Sequence, residues 1–312
     1  MAEKFSYPSC GAGQICGLYW KPEGEIKAVV QIVHGIAEHV ARYDGFAAFL
    51  AAHGILVVAE DHMGHGSSIG DGPQGYFTGG WHAAAEDTYH LLQMTRQALP
   101  EVPYVLLGHS MGSFLARTVL AAHPDCGITA AVISGTTWMS GAVLTAGRAA
   151  ARLVCSRQDE RQPNTALHRM MFGSYNRRVE HRRTPSDWLT RDEAVVDAYE
   201  ADPLCGFPES AGLARDMMEG LRYIQNPSHL RAMRAELPVL FIAGGDDPVG
   251  NYGAGVRRTA QEFEKAGMGH VTTRIYPLCR HEVLNELNRD EIWGDVLSWI
   301  TAQCGGKDTL AT

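Results

Sequence analysis

The sequence predicts an α/β fold: a mostly parallel central sheet with helices on both faces and a helical insertion. Three observations carry that expectation. Short apolar runs with few charges ("KAVVQIVHG", "ILVVAED", "YVLLGHS", "ITAAVISGT", "LPVLFIAGG") alternate with helical patterns, as strands buried on both faces of a parallel sheet do. The alternation stops after Thr136, gives way to helical segments alone, and resumes after about residue 215. The chain has 312 residues, 45% hydrophobic and 20% charged, enough for one large core with an inserted lobe.

In order, the first thirty residues read as a strand pair, with "GQICGLYWKP" set between Gly and Pro breakers. The strand "KAVVQIVHG" precedes a helix over 41–53, and "ILVVAED" leads through a Gly-rich loop to a long helix over 81–98. "YVLLGHS" runs straight into the helix "MGSFLARTVLAAH", and "ITAAVISGT" closes the first half. The insertion is rich in Met, Arg and Trp: "WMSGAVLTAGRAAARLVC", "LHRMMFGSYNRR", "DWLTRDEAVVDAYEADP". After it come "LPVLFIAGGDDP", a helix over 253–267, the strand "VTTRIYPL" and the last helix "DEIWGDVLSWITAQ". The expected organisation is a core of 1–136 and 215–304, an insertion of 137–214, and a frayed tail at 305–312.

Charges sum to −8, from 27 basic and 35 acidic residues, which argues against nucleic acid or an anionic membrane as a partner. "MAEKFSYPSC" has no apolar core of a signal peptide, and no run is long enough to span a membrane. Seven cysteines without C-x-x-C spacing fit reduced thiols in a cytoplasm.

Gly-x-Ser-x-Gly occurs twice, as "GSSIG" (66–70) and "GHSMG" (108–112). The pattern marks a nucleophile only where a strand ends directly before the Ser and a helix starts directly after it. Ser110 has both. Ser68 has a strand that ends several residues earlier and the turn-rich "DGPQG" after it. Ser110 is therefore the candidate nucleophile. A serine hydroxyl needs a base, and the base needs an orienting acid. His281 follows the last strand, at the sheet end where ligands bind in open α/β folds, whereas His270 precedes that strand and belongs at the opposite end. "GGDDP" ends another strand with two candidate acids, Asp246 and Asp247; Pro248 restricts the backbone of Asp247 but does not choose between them. The backbone N–H groups of Ile36, after "VVQIVHG", and of Met111 are the expected donors to an oxyanion.

These blocks, "HGIAEHVARY" (34–43), "DHMGHGSS" (61–68), "GHSMG" (108–112), "GDDPVG" (245–250) and "RHEVLNE" (280–286), resemble the α/β-hydrolases of the monoacylglycerol lipase, lysophospholipase and serine aminopeptidase-like group. They fall in that group's order across nearly the whole core. The resemblance implies an α/β-hydrolase fold, makes the insertion a cap, and selects Asp247 by the "D-P-V" pattern. It implies a serine esterase that needs no cofactor or metal, with a small acyl ester as substrate: a monoacylglycerol, lysophospholipid or simpler ester. His62 and His65 are then loop residues rather than metal ligands. Glu38, His39, Arg42 and Tyr43 would brace the oxyanion loop. Trp138, Met170, Met171, Phe172 and Trp188 are candidates to line an acyl pocket, since Met-rich apolar surfaces adapt to varied ligands. Two other readings stay open: an aminopeptidase or amidase with the same triad, using Glu200 or Asp202 for a substrate amine, and a non-catalytic binding protein. Oligomeric state is not legible.

Overall fold

Eight strands form one sheet in the order β1-β2-β4-β3-β5-β6-β7-β8 in the computed structural model, which describes residues 2–70 and 72–305. The tail expected at 305–312 lies, apart from Gly305, outside the described residues. β1 (Glu3–Pro8) and β2 (Gln14–Trp20) are the expected strand pair; they are antiparallel, and β2 also runs antiparallel to β4 (Ile55–Glu60). From β4 onward the sheet is parallel, through β3 (Ala28–Val33), β5 (Tyr104–His109), β6 (Ala130–Ser134), β7 (Val239–Gly244) and β8 (Val271–Tyr276). This is the α/β-hydrolase fold that the sequence predicts.

The strands are apolar on both faces because both faces are covered. Val29 and Val33 of β3, with Leu106 of β5 and Phe241 of β7, pack into one core. Val30, Ile32, Leu107 and Ile242 point into the other. The first core is closed by α2 (Gly80–Ala98), α3 (Met111–Ala122), α7 (Ala211–Ile224) and α9 (Ala254–Lys265). The second is closed by α1 (Asp44–Ala52) and α10 (Arg289–Cys304). The helix expected over 41–53 starts at Asp44, because Val40–Tyr43 form a tighter 3-10 turn before it.

Between β6 and β7 the chain is helical, as read from the sequence. It holds α4 (Gly141–Cys155), α5 (Thr165–Phe172), α6 (Glu193–Ala201), α7 and α8 (Pro227–Ala232), with a single isolated bridge between Pro163 and Ser210 among the described residues. Each helix start is capped by a short polar side chain: Ser140, Asn164, Asp192, Ser210 and Asn226 accept from backbone N–H groups of the first turn. Residue 214 lies inside α7, so a boundary there divides a continuous helix. The far half of α7 belongs with the sheet-side helices, and Gly220 is the position where the Trp81 indole passes too close for a side chain. Among the described residues no helix is long and apolar enough to cross a membrane.

Candidate active site

"YVLLGHSMG" builds a strand, a one-residue turn and a helix. β5 ends at His109 and α3 starts at Met111, leaving Ser110 between them with φ 52° and ψ −121°. A left-handed backbone at a non-glycine residue costs on the order of 1–3 kcal/mol and persists only where the surroundings enforce it. They do: the Ser110 N–H donates to Ser134 O at 2.9 Å, and Ser110 O accepts from Ser113 N at 2.9 Å and Ser113 Oγ at 2.6 Å. Gly112 has to be glycine, since a Cβ there would collide with the carbonyl oxygens of Val33 and His34. The start of α3 therefore sits on the end of β3. That contact brings the loop after β3 beside the serine, so that a Cβ on Gly35 would lie 3.2 Å from Ser110 Cβ.

The other two residues arrive on loops after β7 and β8. Asp247 and His281 are 0% and 2% exposed, and His281 Nδ1 lies 3.0 Å from Asp247 Oδ1. Of the two adjacent acids, Asp247 meets the histidine; Asp246 is exposed and directs its N–H to Cys279 O. Asp247 Oδ1 is also fixed by the Val249 N–H at 2.8 Å. His270 is exposed at the opposite end of β8, where its carbonyl accepts from Val239 N. Burial opposes a charged His281, but Asp247, with Glu282 and Glu38 behind it, outweighs burial and raises its pKa above the ordinary 6.5. Neighbouring His109 has its ring centre 4.7 Å from that of His281 and, with burial as the main cause, is pushed down to about 3, so it is neutral.

Ser110, His281, His109 and Ile36 line one cavity of about 570 Å³. The N–H groups of Ile36 and Met111 have no acceptor among the described residues. Both flank Ser110, Met111 as the first residue of α3 and Ile36 on the loop after β3.

An ion cluster fixes that loop. Glu38 Oε1 accepts from Gly35 N at 2.6 Å and from Tyr43 Oη at 2.9 Å, and Glu38 Oε2 takes Arg42 Nη1 at 2.6 Å. Arg42 then reaches across to Glu282 with two bonds of 2.7 Å. Glu282 is held down at about 2: burial alone would raise it, and the Arg42 guanidinium overcomes that. His39 turns the other way and meets Asp202 at 2.8 Å.

The "DHMGHGSS" block supports this arrangement from below. Asp61 accepts from Val40 N at 2.9 Å and Ser67 N at 2.8 Å. Ser68 is buried and its Oγ accepts from Cys16 N at 2.8 Å, so it holds a loop to β2. His62 Nε2 donates to His34 O at 3.0 Å, and His34 Nε2 accepts from His62 N at 3.0 Å. Burial keeps His62 and His65 at about 3 and about 4, neutral and packed against loop backbone.

Of the five proposed pocket residues, Phe172 and Trp188 line the cavity. Trp188 stands 5.1 Å from the His281 ring and its carbonyl accepts from His281 N at 3.4 Å. Trp138 and Met171 pack on the hydrophobic core, and Met170 is 56% exposed because α5 turns it to solvent. Glu200 lines the cavity from an exposed position, while Asp202 is spent on His39. The cavity also takes Tyr199, Thr165, His168 and Glu209, which sequence reasoning missed. In the sequence Thr165, His168 and Tyr199 read as ordinary helix positions and Glu209 as a loop position, and only the way the insertion folds back makes them neighbours of Ser110.

The chain is similar to several known proteins. A family model described as "Serine aminopeptidase, S33" matches residues 24–288. The chain is 30% identical over 301 residues to a monoacylglycerol lipase of Mycolicibacterium smegmatis, covering 95% of this chain and 96% of that one. It is 31% identical to a monoglyceride lipase of Mus musculus, covering 86% and 84% of the two chains. Among solved structures, a thermostable carboxyl esterase from Bacillus coagulans superposes with a TM-score of 0.88 at 26% identity, covering 97% of this chain and 99% of that one.

Proposed function

The chain belongs to the serine aminopeptidase S33 family, and on that premise we propose that it is a serine hydrolase of single-chain acyl esters of the monoacylglycerol type. Ser110 Oγ attacks the ester carbonyl carbon while His281 takes its proton. Asp247 holds the imidazole in the tautomer that can accept there and stabilises the charge it acquires. The carbonyl electrons move onto oxygen, where the Ile36 and Met111 N–H groups receive them; losing one such donor typically costs about 2.7–4 kcal/mol of barrier. Collapse breaks the ester C–O bond, and His281 returns the proton to the departing alcohol. Water, giving its proton to His281, then attacks the acyl-Ser110 carbonyl; collapse breaks the bond to Ser110 Oγ, which takes the proton back from His281, and the acid leaves.

The observation that carries this reading is the buried Asp247–His281 pair, whose histidine lines the same cavity as a serine held in a strained turn at a helix start. The ester class rests on relatives named as monoacylglycerol lipase and monoglyceride lipase and on a neighbour named as a carboxyl esterase. In the same reading, the helices from residue 137 to the start of α7 act as a cap over the site. Seven free cysteines fit a reducing cytoplasm.

Ser110→Ala is expected to fold with an unchanged circular dichroism spectrum while losing monoacylglycerol turnover and fluorophosphonate labelling. Labelling of the variant at the wild-type level would overturn the assignment. A matched pair of an acyl ester and an aminoacyl amide separates esterase from amidase, and the ester is expected to be the faster substrate.

A further inference from the structure

Beside the catalytic cavity, three metal-ligating side chains from two remote segments converge. One donor atom each from His39, Asp202 and Cys205 lies within 4.8 Å of the other two. Imidazole, carboxylate and thiolate are the ligand types of Zn²⁺, and a tetrahedral site spaces such donors about 3.4–3.6 Å apart. The observed spacings, 2.8 Å between His39 Nε2 and Asp202 Oδ2 and at most 4.8 Å overall, bracket that value.

The backbone holds the three side chains in place. Asp202 presents Oδ2 to His39 while its Oδ1 accepts from Leu204 N at 2.8 Å, and Asp202 O accepts from Cys205 N at 2.9 Å. Ala37 O, on the same loop as His39, accepts from Gly206 N at 2.9 Å and from Tyr199 Oη at 3.0 Å. The donors thus sit where the insertion meets the loop after β3. Charge favours a cation there. The carboxylates of Glu38, Glu282 and Asp202 all act on Cys205, and the Arg42 guanidinium near them is already held by both glutamates. Asp202 and Cys205 also line a cavity of about 220 Å³, which gives room for water as a fourth ligand.

We propose that His39, Asp202 and Cys205 bind one divalent cation of the zinc class, and that the bound metal ties the insertion to the loop that carries Ile36. The site goes beyond the ester-hydrolase reading and does not depend on it. Burial pushes the Cys205 thiol up to about 12, so its proton leaves for solvent only as the metal arrives. His39 binds through Nε2 and keeps its hydrogen on Nδ1. Asp202 gives up its bond to His39 and offers Oδ2 to the metal. Affinity therefore weakens as pH falls, by about tenfold per pH unit for the one thiol proton released.

The probe is Co²⁺, titrated into the metal-free full chain and then displaced by Zn²⁺. One equivalent is expected to bring up a thiolate-to-cobalt charge-transfer band in the near ultraviolet, with visible bands of tetrahedral intensity. Cys205→Ser is expected to lose the charge-transfer band. Asp202→Asn is expected to keep the band but to weaken Co²⁺ binding by at least about tenfold, the lower end of what losing even a ligand's supporting partner costs. Zn²⁺ is expected to slow hydrogen exchange of the Gly206 amide, whose partner is Ala37 O. Absence of the charge-transfer band in the wild type overturns the site. So does an undiminished band in Cys205→Ser, which would mean that another cysteine takes the metal. Should Cys205→Ser fail to fold, an Asp202→Asn affinity equal to that of the wild type overturns the site. Unchanged Gly206 exchange at saturating Zn²⁺ overturns the tie between insertion and loop. None of these readouts uses turnover, so failure of the site and failure of the ester-hydrolase reading are separate results.

Discussion

In the proposed mechanism His281 can act as a base only when neutral, and its surroundings pull in two directions. Burial favours the neutral ring, and the Asp247 carboxylate at 3.0 Å favours the imidazolium by more, so the pKa ends above 6.5. The acid limb of kcat/KM is therefore expected to have its midpoint above pH 6.5, with activity lost as pH falls through it. Asp247→Asn removes the largest raising influence and leaves burial opposed only by Glu282 and Glu38, so the remaining limb should move to lower pH. Turnover should also fall by about 10⁴-fold, the scale seen when the same carboxylate-to-amide exchange is made in a Ser-His-Asp triad. A pH–rate profile of the two proteins measures both effects. An unmoved limb would mean that another group titrates. Asp247 illustrates where residue-level reading stops: the sequence offers two adjacent acids before a proline, and which one faces His281 is set by a turn whose bonds lie to Val249 N and Gly244 O.

At the scale of elements, the site depends on two loops that never touch in sequence, and Arg42 joins them. Its guanidinium bonds Glu38, which holds the Gly35 N–H on the oxyanion side, and Glu282, the neighbour of His281. It also lies 4.7 Å from the ring centre of Tyr199 on α6. Arg42→Lys keeps a charge but cannot fork to two carboxylates in one plane. With the loops misplaced by a fraction of an ångström to an ångström, kcat should fall by up to about 10²-fold. KM should change little, because Arg42 faces the loops and not the cavity. Steady-state kinetics decide it, and a kcat within twofold of wild type would show that either loop holds its place alone. This cluster was half legible. "EHVARY" announces polar residues after a strand, but its partner Glu282 is 240 residues away. The turn that carries the candidate nucleophile was fully legible for the opposite reason: strand, turn and helix are contiguous in "YVLLGHSMG", whereas in "GSSIG" the same pattern lacks both flanks. There Ser68 spends its hydroxyl on the Cys16 N–H. The course of α7 was hidden because a helix that begins in the insertion and ends against Trp81 shows no break in pattern where its neighbours change.

Over the whole molecule, the insertion is latched to the loop that carries the proposed base, and a buried carboxylate sits inside the latch. Glu286 is 0% exposed. It accepts from Arg280 N at 2.7 Å, from Arg191 Nε at 2.8 Å and from Arg191 N at 3.2 Å. Around it Arg280 donates to Asp187 O at 2.6 Å and Thr190 O at 2.9 Å, and Glu282 N donates to Leu189 O at 2.7 Å. Residues 187–191 thus run alongside 280–286, and His281 lies within that seam. Removing one member of a buried ion pair leaves the other without compensation and typically costs about 3–5 kcal/mol. Glu286→Ala should lose stability on that scale by denaturant unfolding. The exposed pair of Lys21 and Glu3 gives the contrast, since Lys21→Ala should change stability by no more than about 1 kcal/mol. The latch also makes a kinetic demand. If it positions His281, Glu286→Ala must lose more activity than its unfolded fraction accounts for, measured well below the unfolding transition. Activity that simply tracks the folded fraction would make the seam a matter of stability alone. A loss beyond it would mean that the insertion serves catalysis by fixing the base as well as by walling the cavity.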